Sequence, residues 1–189
     1  AAEKLGVHGA MLVGPYYNKP PQEAFYQHFK TIAEATSLPI MIYNVPGRTG
    51  SNILPATIAR LAQIDNIVAV KEASGNLDQV MEIIRTTPPD FKVYSGDDNL
   101  TLPIVAVGGV GVVSVAAHVV GNQMQEMLAA FFAGDYAKAQ AINSKLLPFF
   151  KVIFITTNPI PIKAAVNLLG LNAGPVRLPL IEASPAEVE

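Results

Sequence analysis

The sequence contains no cysteine among its 189 residues. This excludes a disulfide scaffold, a thiolate metal site and a cysteine nucleophile, and it fits a reducing cytoplasm, which is the location we expect. Charged residues are scarce as well, at 15%, and the formal net charge is −2. No cluster of Lys and Arg occurs along the chain, which argues against a nucleic-acid surface and against an anionic membrane surface. Small molecules and further copies of the chain are therefore the expected partners.

Hydrophobic residues are abundant, at 50% of the chain, so the protein has enough apolar mass to build a core. Residues 99–125 contain no Asp, Glu, Lys or Arg, and by length alone they would suit a transmembrane helix. Pro103, Gly108 and Gly111 interrupt this stretch, and Ser114 adds a polar group. We predict a buried helix followed by a buried strand there, and no membrane span.

Short apolar runs rich in β-branched residues alternate with helical patterns along the first two thirds of the chain. The predicted strands cover residues 10–13, 39–43, 66–70, 91–94 and 110–115. The predicted helices between them cover residues 21–36, 54–63, 76–85 and 99–107. Further helical patterns cover residues 120–133, 136–155 and 161–169. This order predicts an α/β fold with a parallel sheet and appended helices, either doubly wound or a (β/α) barrel.

The two ends of the chain resemble cuts through longer elements. Residues 1–6 read as the last turn of a helix that Gly6 ends. Ser184, Pro185 and Glu187 form the start signal of a helix that has no body. We therefore expect that the sequence is part of a longer protein.

Lys71 stands out among the polar residues expected at the carboxyl ends of the strands, because it follows the apolar run 67–70. Partial desolvation of an amine lowers its pKa, and a neutral lysine can attack a carbonyl to form a Schiff base. The alternative is a lysine that reaches solvent and has no chemical role. Tyr43 and Tyr17 lie at the ends of two other strands and are candidate proton carriers, although tyrosines also occur at such places for packing.

Three other kinds of polar residue invite a functional interpretation. Arg48, in a Pro-Gly-Arg-Thr-Gly turn, suits a carboxylate ligand or is a plain surface residue. Asp97 and Asp98 are adjacent carboxylates that could bind Mg²⁺, but we favour Asp98 or Asn99 as the cap of the next helix and expect no metal. The histidines lack zinc-motif spacing and are expected to be structural; they are His8, His28 and His118.

Five segments in order carry a resemblance to a known family. They are Gly14-Pro-Tyr-Tyr-Asn-Lys-Pro20, Tyr43-Asn-Val-Pro-Gly-Arg-Thr-Gly50, Val70-Lys-Glu-Ala-Ser-Gly75, Tyr94-Ser-Gly-Asp-Asp98 and Gly109-Val-Gly-Val-Val-Ser-Val115. Together they resemble the successive motifs of the dihydrodipicolinate synthases, which are pyruvate-dependent class I aldolases related to N-acetylneuraminate lyase.

The resemblance implies a partial (β/α)8 TIM barrel with five βα units. Residues 1–118 would supply strands four to eight, and residues 119–189 would form the C-terminal helical region. Strands one to three, with the Gly-x-x-x-Glu-type segment and the threonine pair that bind the pyruvate carboxylate, would be absent. Tyr16 would be a remnant of the lysine-feedback site.

The resemblance also implies a lyase of lysine and diaminopimelate biosynthesis, which condenses pyruvate with L-aspartate 4-semialdehyde to 4-hydroxy-tetrahydrodipicolinate. Lys71 would form the imine with pyruvate, so that no cofactor and no metal are needed. Tyr43 would be the main proton carrier. Tyr17 would extend the proton relay into the active site of a neighbouring subunit, which implies a homo-oligomer, usually a tetramer.

The remaining family positions concern the second substrate and the pocket. Arg48 would hold the carboxylate of the semialdehyde and position Tyr43, while the backbones of Gly96 and Val113 would line the imine pocket. Two alternatives stay open. One is another pyruvate-dependent aldolase, such as a sialic-acid or keto-deoxy-sugar-acid lyase, which generally lacks an arginine at the place of Arg48. The other is a catalytically inactive fragment.

Overall fold

A computed structural model describes residues 2–189 of the chain. Five β-strands lie in the first 113 residues: β1 (Ala10–Val13), β2 (Ile40–Asn44), β3 (Ile67–Glu72), β4 (Lys92–Ser95) and β5 (Gly111–Val112). The α-helices of this part are α1 (Gln22–Glu34), α2 (Pro46–Thr49), α3 (Pro55–Leu61), α4 (Leu77–Thr86) and α5 (Thr101–Ala106). The later α-helices are α6 (Ala117–Phe132), α7 (Tyr136–Val152), α8 (Ile160–Leu168) and α9 (Pro185–Val188). Short 3₁₀ helices cover Glu3–Leu5 and Asp98–Leu100.

The strands form one parallel sheet in the order β1-β2-β3-β4-β5. A doubly wound sheet would reverse this order at a switch point and place helices on both faces. Here one apolar core joins the sheet to α1, α3, α4 and α5, so these helices share a face. Sequential order with helices on one face is the arrangement of a (β/α) barrel, and the predicted fold class is confirmed.

The spacing of apolar residues along the helices and strands accounts for this core. In α1, Phe25, Phe29 and Ala33 recur every four residues, and all three are buried. In β2, Ile40 and Ile42 alternate with more exposed neighbours and point toward the helices. The apolar pattern therefore fixes which face of each element is covered.

The other face of the sheet is more open. Met11 and Val13 of β1 are 49% and 40% exposed. Met41, Ala69 and neighbouring residues line a depression of about 390 Å³. This is the face toward which Tyr43 and Lys71 point, because residues two apart in a strand share a face.

Most predicted elements occur, with shifts at their ends. The strand predicted to end at residue 70 continues to Glu72, so Lys71 lies inside β3 and does not follow it. Cross-strand pairing explains the extension, since Lys71 and Glu72 stay in register with Tyr43 and Asn44 of β2. The predicted strand 110–115 is reduced to Gly111–Val112.

The helix starts give one confirmation and one correction. Asn76 caps α4 as predicted, because its side chain accepts a hydrogen bond from the Gln79 N–H at 3.1 Å. The predicted cap at Asp98 or Asn99 is wrong. Those residues form a 3₁₀ turn, and α5 begins only at Thr101 with no side-chain cap.

The residues after Val113 form a second compact unit that begins at Ser114. Within it α6 packs on α7, and the predicted start signal at Ser184 is a capping box with Glu187 that begins α9. The predicted domain boundary after residue 118 stays a prediction. Among residues 2–189, no helix combines the length and the apolar character needed to cross a membrane.

Candidate active site

Lys71 occupies the centre of the sheet near its carboxyl edge and is only 8% exposed. Its Cα pairs with that of Tyr43 on one side and that of Tyr94 on the other. The Lys71 Nζ lies 4.1 Å from the centroid of the Tyr43 ring. The structure therefore brings together the predicted nucleophile and the predicted proton carrier.

The surroundings of Lys71 favour its neutral amine. Burial lowers the pKa of Lys71, the charges of Asp98 and Asp97 raise it, and the charge of Arg48 lowers it again. The net direction is downward from the ordinary value of 10.5. A larger fraction of the amine is then unprotonated near neutral pH, which is the form that attacks a carbonyl.

The pKa of Tyr43 is shifted in the opposite direction from that of Lys71. Burial raises the pKa of its phenol, Arg48 opposes the rise, and Asp97 adds to it. The phenol accordingly keeps its proton close to the Lys71 amine. A protonated hydroxyl can donate to an oxygen that develops negative charge or leaves as water.

Asp97 is an acidic group for which the sequence suggested only a metal-binding role. Burial raises the pKa of its carboxyl, the charges of Glu72 and Asp98 add to the rise, and Lys71 opposes it. Among residues 2–189, no group of three or more Asp, Glu or His side chains could hold a metal ion. The influence of Asp97 on Lys71 and Tyr43 makes it part of the electrostatic setting of the amine.

Gly96 lies directly against the lysine side chain. A Cβ added there would stand 3.2 Å from the Lys71 Cε and 2.6 Å from the Ala73 Cβ, so only glycine fits. The Gly96 N–H donates to the Glu72 backbone oxygen at 2.7 Å. The next strand joins the same edge, since the Val113 N–H donates to the Ser95 backbone oxygen at 2.9 Å.

Arg48 and Tyr17 are much more exposed than Lys71. Arg48 is an exposed residue of the short helix α2, and its charge affects the pKa values of both Lys71 and Tyr43. Tyr17 lies in the loop after β1, is 92% exposed and has a φ of 70°. A positive φ costs an aromatic residue energy, so the loop holds Tyr17 in a conformation that it does not prefer.

All three histidines occupy exposed positions. His28 on α1 makes an edge contact with Phe29 at a centroid distance of 5.2 Å. His8 and His118 are exposed. The expectation that they are structural stays a prediction.

Sequence reasoning missed a buried polar network on the helix-facing side of β2 and β3. Its members are Asn44, Asn52, Glu72 and Gln79. The signal was present in the alternation of each strand, because Asn44 follows the inward positions Ile40 and Ile42, and Glu72 follows Val70. A polar residue at a position that alternation assigns to the core needs a partner.

A parallel sheet in sequential order, with helices on one face and a buried lysine near its carboxyl edge, defines a protein of the (β/α) barrel class. The model of the dihydrodipicolinate synthetase family matches residues 1–189. The chain belongs to this family.

Curated relatives are similar in sequence to almost the whole chain. A 4-hydroxy-tetrahydrodipicolinate synthase from Heliobacterium modesticaldum is 62% identical over 187 residues, which cover 99% of this chain and 62% of that protein. The enzyme of the same name from Desulforudis audaxviator is 61% identical over 189 residues and is covered to 64%. The chain thus spans slightly less than two thirds of the length of these curated relatives.

Solved structures show the same fold. The crystal structure of dihydrodipicolinate synthase from Bacillus anthracis aligns with a TM-score of 0.97 at 53% identity, over 99% of this chain and 64% of that one. The corresponding structure from Thermotoga maritima gives a TM-score of 0.96 at 48% identity, over 99% and 65%. The five βα units and the appended helices are therefore those of the dihydrodipicolinate synthase fold.

Proposed function

We propose that this chain carries the imine-forming site of a 4-hydroxy-tetrahydrodipicolinate synthase, a lyase of lysine and diaminopimelate biosynthesis. The observation that carries the proposal is the buried Lys71 amine, 4.1 Å from the Tyr43 ring, in a chain about 60% identical to proteins of that name. The substrates are pyruvate and L-aspartate 4-semialdehyde. The same relatives support a synthase over a sialic-acid or keto-deoxy-sugar-acid lyase.

The first step joins the lysine to pyruvate. The neutral Lys71 nitrogen attacks the ketone carbon of pyruvate, and a carbon–nitrogen bond forms as the carbon–oxygen double bond becomes single. The oxygen takes up a proton and the nitrogen loses one, which gives a carbinolamine. We assign the proton on the oxygen to Tyr43, because burial raises the pKa of its phenol and keeps it protonated. A second protonation at this oxygen releases it as water and leaves the imine, which needs no cofactor and no metal.

The imine then makes the carbon–carbon bond possible. Its nitrogen withdraws electrons, so the former methyl group of pyruvate loses a proton and becomes an enamine carbon. That carbon adds to the aldehyde carbon of the semialdehyde, whose oxygen gains a proton. The amino group of the adduct next attacks the imine carbon, which closes the ring and returns the amine of Lys71.

The other predicted site residues take supporting roles in the proposal. Arg48 offers a guanidinium near Lys71 and Tyr43, which suits the carboxylate of the semialdehyde. The close approach of Gly96 to the lysine side chain suits a backbone wall of the imine pocket, and Val113 follows the adjoining strand.

Tyr17 supports an assembly of several subunits. Tyr17 is 92% exposed and is held at a positive φ, which costs free energy, and a contact with a neighbouring copy would offset that cost. We assign it to the active site of a neighbouring copy, where it extends the proton relay of a homotetramer. The cytoplasm, where this pathway supplies lysine, is the proposed location.

Trapping with borohydride tests the function. The purified protein is incubated with pyruvate, reduced with sodium borohydride and digested, and the peptides are weighed by mass spectrometry. We expect the reduced pyruvate adduct on the peptide that carries Lys71, and its loss in Lys71→Arg. A folded sample without adduct would show that the chain is an inactive fragment. Turnover of sugar acids in place of the semialdehyde would show a sialic-acid or keto-deoxy-sugar-acid lyase and not a synthase.

A further inference from the structure

Glu72 is the most deeply buried charged side chain near the proposed site, at 1% exposure. It follows Lys71 directly in β3, so the two side chains point to opposite faces of the sheet. A carboxylate buried on the helix-facing side costs free energy unless donors surround it. The proposed reaction gives Glu72 no contact with substrate, so its burial calls for another explanation.

Three residues donate hydrogen bonds to the Glu72 carboxylate. The Ser74 N–H donates to it at 2.7 Å, and the Asn44 Nδ2 donates to its two oxygens at 3.2 and 3.0 Å. The Gln79 Nε2 donates to it at 3.2 Å. A carboxylate accepts and does not donate, so this pattern suits a glutamate and opposes a glutamine of the same shape.

Asn44 links this carboxylate to the loop that carries Arg48. Its Oδ1 accepts from the Ile53 N–H at 3.0 Å, and its Nδ2 donates to the Asn52 Oδ1 at 2.8 Å. The loop between β2 and α3 therefore begins next to Asn44 and returns to it. The residue before Asn44 is Tyr43, and its cross-strand partner is Glu72.

The negative acceptor also orients the amides around it. Gln79 donates to Glu72 and to the Asn52 Oδ1 at 3.1 Å, and it accepts from the Asn52 Nδ2 at 2.7 Å. Reversing the Asn44 amide would place its oxygen against the carboxylate and leave the Ile53 N–H without this acceptor. Each amide in the network thus has one satisfied orientation.

We propose that Glu72, acting through Asn44, is a positioning residue that holds Tyr43 against the amine of Lys71. The Asn44–Glu72 pair joins β2 to β3 by side chains at the step next to the Tyr43–Lys71 pair. This pair fixes the register of β2 and β3 on the helix-facing side, so that the Tyr43 ring and the Lys71 amine stay 4.1 Å apart on the other face of the sheet. The role of this geometry in imine formation rests on the proposed function.

Glu72→Gln tests the proposal, and Glu82→Gln is the matched control. Glu82 is a half-exposed residue of α4 that pairs with Arg85 and lies outside the network, so the same chemical change there leaves the network intact. The rate of the borohydride-trapped adduct on Lys71 is measured over a range of pyruvate concentrations. We expect at least a tenfold lower rate at saturation in Glu72→Gln, an unchanged half-saturating concentration, and wild-type values in Glu82→Gln.

A second readout does not depend on pyruvate. Reductive methylation with formaldehyde and cyanoborohydride labels amines generally, and the exposed Lys145 serves as the internal reference. We expect the labelling ratio of Lys71 to Lys145 to change at least threefold in Glu72→Gln. If the unaltered protein forms no pyruvate adduct, the proposed function fails, and this ratio still decides the role of Glu72.

Two outcomes would overturn the proposal. One is a Glu72→Gln protein that is less stable in urea but has unchanged Lys71 rates for each folded molecule, which would mean a merely structural role. The other is an unchanged labelling ratio in Asn44→Ala, the variant that carries the test if Glu72→Gln does not fold. Asn44→Ala keeps the carboxylate and removes the link to the loop, so the proposal requires the same threefold change.

Discussion

Replacing Gly96 by alanine adds one methyl group at the tightest point beside Lys71. The new Cβ would lie 2.6 Å from the Ala73 Cβ and 3.2 Å from both the Glu72 backbone oxygen and the Lys71 Cε. The Ala73 Cβ moves only with its backbone, and the Glu72 oxygen is itself backbone. The end of β3 or of β4 must therefore move, because no flexible side chain can absorb the clash.

The size of the displacement follows from the distances. Ordinary contact begins at 3.4 Å, so the pair at 2.6 Å has to separate by about 0.8 Å. Overpacking of this kind costs about 1–3 kcal/mol of folding free energy. A misplacement of about 1 Å at a reacting group can lower a rate by about 100-fold, and we expect imine formation in Gly96→Ala to fall by roughly 10- to 100-fold.

The assay compares two glycine variants. Urea unfolding gives the stability, and borohydride trapping with pyruvate gives the rate at Lys71. Gly47→Ala is the control, since an added Cβ at Gly47 of α2 meets nothing within 4 Å. We expect Gly47→Ala to stay within about 1 kcal/mol of the starting protein and to keep its trapping rate.

Equal stability of Gly96→Ala and Gly47→Ala would refute the steric argument. A destabilised Gly96→Ala that still labels Lys71 at the original rate would show instead that the clash relaxes away from the lysine. Either result would remove Gly96 from the proposed pocket wall.

Two further predictions concern charge. Lys71→Met should raise the free energy of unfolding at pH 7 by on the order of 1 kcal/mol. Burial lowers the pKa of Lys71 from 10.5 in the folded protein, so the unfolded chain binds more protons at that residue. The stability gain of Lys71→Met should therefore shrink as pH rises toward 10.5. Urea unfolding at pH 7 and pH 10 checks this, and a gain that grows with pH would contradict it. Asp97→Asn should move the pH profile of trapping to lower pH and Arg48→Ala to higher pH, because their charges act on the Lys71 pKa in opposite directions. Shifts in the same direction would contradict these opposite effects on the Lys71 pKa.

The βα alternation was predictable because its signals are local. Period-two apolar runs, four-residue spacing such as Phe25, Phe29 and Ala33, and the Asn76 cap all depend on residues close in sequence. The ends of the elements were less predictable. The extension of β3 through Lys71 and Glu72 depends on pairing with β2, and no local pattern encodes it.

Some features of the candidate site were likewise predictable from the sequence, and others were not. The sequence determined which chemical groups are available, and the strand periodicity placed Lys71 and Tyr43 near the carboxyl ends of their strands. Only the tertiary structure decided that their side chains meet, that Gly96 touches the lysine, and that Asn44 and Glu72 bond on the opposite face. The physical reason is that register and close packing are set by contacts between residues distant in the chain, whereas chemistry and periodicity can be read along it.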